Sequence, residues 1–216
     1  MTDARNPAIS LRKKPKQARS EASISIILEA ATQVLAKEGA SRFTTARVAE
    51  KAGVSIGSLY QYFPNKAAIL FRLQSDEWQQ TFDLLNSLLQ DTSLPPLQRL
   101  RNLVHAFIRS ECEEADMRVA LDDAAPLYRH APEALEVKEQ GAAAIRLFMQ
   151  EVLPDTEDAA RCRAADLITS TFSSAGKAFS QTPRTQEQIE DYADAMADMF
   201  CAYLERIAQE GQRKMV

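Results

Sequence analysis

Residues Thr44 to Lys66 read TTARVAEKAGVSIGSLYQYFPNK. Val48, Ala49 and Ala52 give one short segment an apolar face at helical spacing, and Leu59 and Phe63 do the same for a second. Gly53 lies between them, where ending the first helix and turning the chain calls for a positive φ. Ser55 is suited to cap the second helix. The outward face of that second segment, Ile56–Tyr62, is chemically unusual. Gly57, Ser58, Gln61 and the hydroxyls of Tyr60 and Tyr62 are small or hydrogen-bonding and include no carboxylate, and Lys66 lies just beyond. A helix that enters a DNA major groove needs this set: no negative charge near phosphates, small residues for close approach, and donors for phosphates and base edges. The stretch therefore predicts a helix-turn-helix with Ile56–Tyr62 as recognition helix.

The run Thr44–Ser55 followed by Gly57-Ser58-Leu59-Tyr60-Gln61-Tyr62-Phe63-Pro64-Asn65-Lys66 resembles the DNA-binding signature of the TetR family of transcriptional regulators. The resemblance is dense over about Ser20–Phe71 and does not extend recognisably into the rest. It implies an all-α homodimer, a palindromic operator, and release from DNA when a small molecule binds the C-terminal domain. By the same resemblance Thr45, Ser55, Gly57, Ser58, Tyr60, Gln61, Tyr62 and Lys66 sit at positions of DNA contact. Arg42, Thr44, Arg47 and Ile56 complete the predicted surface.

The charge distribution agrees. The net charge of −4 hides an asymmetry: residues 1–66 hold 11 Lys and Arg against 5 Asp and Glu, a net of +6, and the remainder carries −10. A basic end attracts phosphates and an acidic body stays off the duplex. Apolar content of 45% is ordinary for a soluble globular protein, and six glycines with few β-branched runs favour helix. Cys112, Cys162 and Cys201 are isolated, which fits a reducing cytoplasm and neither a disulfide framework nor a zinc site. A charged N-terminus and the lack of a long apolar run predict neither signal peptide nor membrane span.

Along the chain, residues 1–19 carry Arg5, Arg12, Lys13, Lys14, Lys16 and Arg19, interrupted by Pro7 and Pro15. They read as a flexible basic arm that either adds DNA contacts or solubilises the chain. If the arm touches DNA, deleting residues 2–15 weakens affinity and flattens its salt dependence; an unchanged salt slope contradicts the contact. Residues 20–66 form the predicted DNA-binding domain. Its first helix runs from about Ser20 to Lys37, before Gly39, and Phe43 is expected to insert into its core. Residues 67–216 are read as the ligand-binding and dimerisation domain. Helix 4, about 66–90 and roughly 37 Å long, connects the two and is the candidate to carry a signal between them. Further helices are expected from about Leu97 to Ala115, Met117 to Ala124, Pro132 to Leu153, Asp158 to Ser180 and Gln186 to Gly211.

No catalytic constellation stands out. His105 and His130 are far apart, and no HExxH, GxSxG or P-loop is present; an enzyme is not expected, nor a cofactor or metal. Trp78, Phe82, Phe107, Met117, Phe148 and Phe172 are either ordinary core or the lining of a pocket for a largely apolar effector. Ile168, Phe172, Ala175, Phe179, Met196, Phe200 and Tyr203, on the last two helices, either close the monomer core or pair with a second copy. Two functions from different classes remain: a ligand-responsive regulator of a double-stranded DNA operator, acting as a repressor, or a helical adaptor whose basic domain meets an acidic protein partner.

Overall fold

A computed structural model describes residue 9 and residues 18–128 and 132–215. The described residues are all-α: α1 (Ala18–Arg42), α2 (Thr45–Lys51), α3 (Ile56–Tyr62), α4 (Lys66–Gln90), α5 (Pro96–Glu113), α6 (Ala115–Ala124), a 3-10 turn (Ala125–Leu127), α7 (Pro132–Val152), α8 (Asp158–Ser180) and α9 (Gln186–Met215). The expected helices are all present. α9 runs on past the predicted end at Gly211, and α1 past Lys37. The helical hydrogen bonding of α1 bridges a kink at Gly39, where φ is 71° and ψ 172°.

Two compact units divide the chain at places the sequence does not announce. The first comprises Met1–Gln79 and Asp116–Val137; the second comprises Gln80–Ala115 and Lys138–Val216. α4 supplies residues 66–79 to the first and 80–90 to the second, and α6 belongs with the helix-turn-helix rather than with the body that comes after it.

The core of the first unit is built from the apolar stripe of α1 (Ile24, Ile27, Ala31, Val34, Leu35), from Phe43, Val48, Leu59 and Phe63, and from Ile69 and Leu70 of α4. Phe43 is fully buried, as expected. Ala120, Leu121, Ala124 and Tyr128 join the same cluster. The Tyr128 hydroxyl lies 3.2 Å from the Leu121 carbonyl and 3.4 Å from Gln74 Oε1. Burial, with Asp122 and Glu77 nearby, pushes this phenol well above its ordinary pKa. Gln74 donates to Glu77 at 3.0 Å, and Glu77 pairs with Arg118 at 2.8 Å. A polar chain thus ties α6 and the 3-10 turn to the first half of α4. Ile9 of the basic arm is also buried against this core. The arm's charged residues before Ala18, and His130, lie outside the described residues.

In the second unit α5, α7, α8 and α9 enclose Leu103, Val104, Phe107, Ile108, Phe148, Ile168, Phe172, Met196 and Phe200. Phe107 and Phe172 stack with centroids 3.9 Å apart. α8 passes so close to α5 that a Cβ added at Gly176 would lie 2.7 Å from Phe107 Cε1 and 3.3 Å from Glu111 Cγ. The Phe107 ring is pinned by its stack and cannot retreat. Gly176→Ala therefore destabilises the chain by about 2 kcal/mol, although alanine favours helix, and lowers Tm by roughly 4–8 °C in thermal melts. An unchanged or higher Tm would show that α8 can move away.

Arg99 is 2% exposed and lies at the start of α5. Its guanidinium donates to the Leu89 carbonyl at the end of α4 and to Glu151 at the end of α7, and stands 5.8 Å from the Phe148 ring centroid. It satisfies a carbonyl at the C-terminus of α4, where carbonyls lack intrahelical partners, and pairs with a side chain near the end of α7. Across α5 and α9, Arg109 pairs with Glu190 at 2.8 Å, and His105 meets Glu190 and Asp194 at 2.9 and 3.0 Å.

Candidate nucleic-acid interface

The helix-turn-helix is fixed by local hydrogen bonds that its sequence specifies. Thr44 caps α2 by accepting from the Arg47 amide at 3.3 Å. At the other end Gly53 has φ 66° and donates to Glu50 at 3.1 Å, while Val54 donates to Ala49 at 3.0 Å. This is a Schellman closure, which requires the left-handed conformation that glycine alone adopts without strain. Ser55 caps α3 by accepting from the Ser58 amide at 3.0 Å, and Asn65 caps α4 by accepting from the Ala68 amide at 2.9 Å. Four helix ends are thereby defined within about 25 residues, and α3 has the predicted bounds.

Only one side of α3 is used by the fold. Leu59 and the following Phe63 are fully buried, and Tyr62 packs partly against the same core. Ser55, Ile56, Gly57, Tyr60 and Gln61 are exposed, as are Arg42, Thr44 and Lys66. Thr45, Arg47 and Ser58 are exposed or half-buried beside them. The structure thus gathers the predicted DNA-contacting residues around α2 and α3 of one unit. No acidic residue lies in the first turn of either helix.

Three features of this surface escaped the sequence. The Tyr60 hydroxyl lies 3.0 Å from Thr45 Oγ1, tying α3 to the start of α2. Ser55 and Ser58 hydroxyls meet at 2.8 Å. Arg47, expected to face a phosphate, is ion-paired with Glu38, so part of its charge is already neutralised. The first and last join residues on different helices, for which local sequence carries no signal.

Two family descriptions match successive parts of the chain. Residues 27–73 match the family described as "Bacterial regulatory proteins, tetR family", and residues 95–207, more than half of the chain, match "Tetracyclin repressor-like, C-terminal domain". The chain belongs to the TetR family. Its N-terminal match is to a family of bacterial regulatory proteins, and its described residues are all-α, as the resemblance implied. Over 83 residues it is 37% identical to the nucleoid occlusion factor SlmA of Vibrio campbellii, a match covering 38% of this chain and 42% of that protein. The chain thus spans about two fifths of the length of the curated relatives it matches first. A TetR-family regulator from Mesorhizobium loti shares the fold with a TM-score of 0.67 at 19% identity, covering 87% of this chain and 98% of that one. The regulator FadR from Bacillus subtilis, solved in complex with stearoyl-CoA, does so with a TM-score of 0.63 at 14% identity, covering 82% and 96%.

In this TetR chain the residues expected to line an effector pocket fall in separate cores. Trp78 and Met117 pack on the core of the first unit. Phe107, Phe148 and Phe172 are buried in the second, and Phe82 is half-buried. The residues expected at a dimer interface are inward as well: Ile168, Phe172, Met196 and Phe200 are buried in their own chain, and Ala175, Phe179 and Tyr203 pack against that core. A helical apolar stripe shows that a face is buried, and α5 already covers this one. Among the residues of α8 and α9 whose burial is described, the large apolar ones left outside are Leu167, 52% exposed, and Met199, 51% exposed.

The second unit also has a cleft of about 550 Å³ lined by Thr156, Arg163, Tyr203, Arg206 and Glu210 among others, a mixed-charge surface unlike an apolar pocket. At Cys112 burial first, then Glu111 and Glu113, raise the thiol pKa against the opposing pull of Arg184. Among the described residues no cluster of His, Cys, Asp and Glu is arranged to hold a metal, and no helix is long and apolar enough to cross a membrane.

Proposed function

We propose that this regulator is a cytoplasmic repressor that binds a palindromic operator as a homodimer and leaves it when a small, largely apolar molecule enters the C-terminal domain, acting by binding and not by catalysis. The observation that carries the DNA-binding surface is the exposed side of α3: small and hydrogen-bonding, without a carboxylate, on a helix whose other side is buried. Gln61 and Ser58 face the base edges in this reading, and Lys66 a phosphate. Lys66→Ala then weakens all sequences alike and reduces the salt slope by about 1, whereas Gln61→Ala costs about 1–3 kcal/mol and relaxes one operator position. The reverse pattern in binding titrations would reassign the two residues.

Dimerisation is assigned to the outward faces of α8 and α9. Leu167 and Met199, with exposed Ser170, Ser174, Ala195 and Ala202 at helical spacing, offer a self-complementary surface of small and apolar groups from which two copies build a four-helix bundle. An apolar part of the effector is suggested by the stearoyl chain of the stearoyl-CoA bound to the Bacillus subtilis relative, whose CoA moiety is polar and charged. An effector held by Phe107, Phe148 and Phe172 has to part the Phe107–Phe172 stack, so it acts by favouring a conformation that the unliganded core disfavours.

A further inference from the structure

Ile56, the first residue of α3, is left 43% exposed by its own chain. One exposed apolar side chain needs no explanation; its neighbour makes it informative. Gly57 is a glycine the fold does not require. It is absent from the positions of positive φ, and a Cβ added there would meet only Ser55 Oγ, at 3.8 Å. Glycine in a helix costs stability relative to alanine, so a side chain is missing at Gly57 with no internal return. The two residues together describe the start of a helix that meets an outside surface closely and offers it an apolar group.

The polar neighbours narrow what is read there. The Ser55 and Ser58 hydroxyls bond each other, Ser55 also caps α3, and the Tyr60 hydroxyl is engaged by Thr45. Beside Gln61 and Ser58, exposed Ile56 is the apolar side chain most available to base edges. On the major-groove edge of B-DNA the apolar group is the C5-methyl of thymine. We infer that Ile56 is a specificity-determining residue that packs on a thymine methyl in each operator half-site, with Gly57 keeping the approach open. This rests on the DNA-binding reading of α3 given above.

The test uses the full chain and an operator recovered by selection from random duplex DNA. Each thymine is replaced in turn by deoxyuridine, which removes the methyl and leaves every hydrogen-bonding group in place. The expected result is one symmetric position at which the replacement weakens the wild-type chain about fourfold per half-site, the worth of one buried methyl-sized group. Ile56→Ala, an exposed substitution whose folding is checked by helical circular dichroism, binds the thymine and deoxyuridine duplexes alike at that position. A deoxyuridine penalty equal in both proteins, or no penalty at any thymine of a tightly bound operator, overturns the role of Ile56 and leaves the DNA-binding reading standing. Recovery of no specific operator overturns both.

Discussion

Gly57→Asp abolishes operator binding while leaving the chain as stable as before. At the second position of α3 an aspartate meets no steric obstacle, because a Cβ there has only Ser55 Oγ nearby. It enters a first turn that lacks any acidic residue, where a negative charge favours the helix by about 0.3–1 kcal/mol. Replacing a helical glycine adds a further fraction of a kcal/mol. Tm therefore stays level or rises slightly. Binding responds in the opposite direction, because each protomer now brings a carboxylate to the phosphates. Like-charge juxtaposition at an interface costs several kcal/mol, so affinity falls by at least about 100-fold. Electrophoretic mobility shift and thermal melts on one preparation give both numbers. Retained affinity in the variant would remove the N-terminal half of α3 from the DNA surface.

The largest effect on stability is expected at a residue that is itself half-exposed. Glu151 is the carboxylate that compensates Arg99, whose side chain is 2% exposed while that of Glu151 is 47% exposed. Glu151→Ala leaves the guanidinium charge buried with the Leu89 carbonyl and the Phe148 face as its remaining partners. Removing one member of a buried pair costs about 3–5 kcal/mol; the access of water beside Glu151 places this case near about 3. Tm then drops by roughly 6–12 °C. Arg99→Met costs less, since it removes the charge together with its need for a partner, keeps the volume, and leaves Glu151 free to hydrate. The ordering of the two variants is the diagnostic result. If Arg99→Met is the more damaging, the hydrogen bonds at the ends of α4 and α7 outweigh the buried charge.

How much of this was legible in the sequence depends on the range of the interactions involved. Thr44, Gly53, Ser55 and Asn65 act on amides and carbonyls within a few residues, so the helix-turn-helix and the bounds of α3 and α4 were legible as chemistry. The exposed set around Gly57, Tyr60 and Gln61 was legible because its lack of carboxylates is itself a sequence property. Interactions across the chain were not. Arg99 and Glu151 are 52 residues apart, Tyr128 and Gln74 are 54 apart, and nothing near any of them announces a partner. α6 reads as one more amphipathic helix, and its place in the core of the DNA reader came from packing alone. The stripes of α8 and α9 showed the period of burial without showing which neighbour covers it. Ile168, Phe172, Met196 and Phe200 are buried within their own chain, whereas Leu167 and Met199 are exposed.

Whether two copies of α3 read a defined DNA sequence is decided by selecting bound duplexes from a random library at near-physiological salt and sequencing them. The expected result is an enriched palindrome with half-sites spaced to suit two recognition helices in successive major grooves, about one helical turn apart or a multiple of that. Recovery of only sequence-indifferent DNA, with affinity that collapses as salt rises, would contradict it and reduce the basic end to a patch of charge.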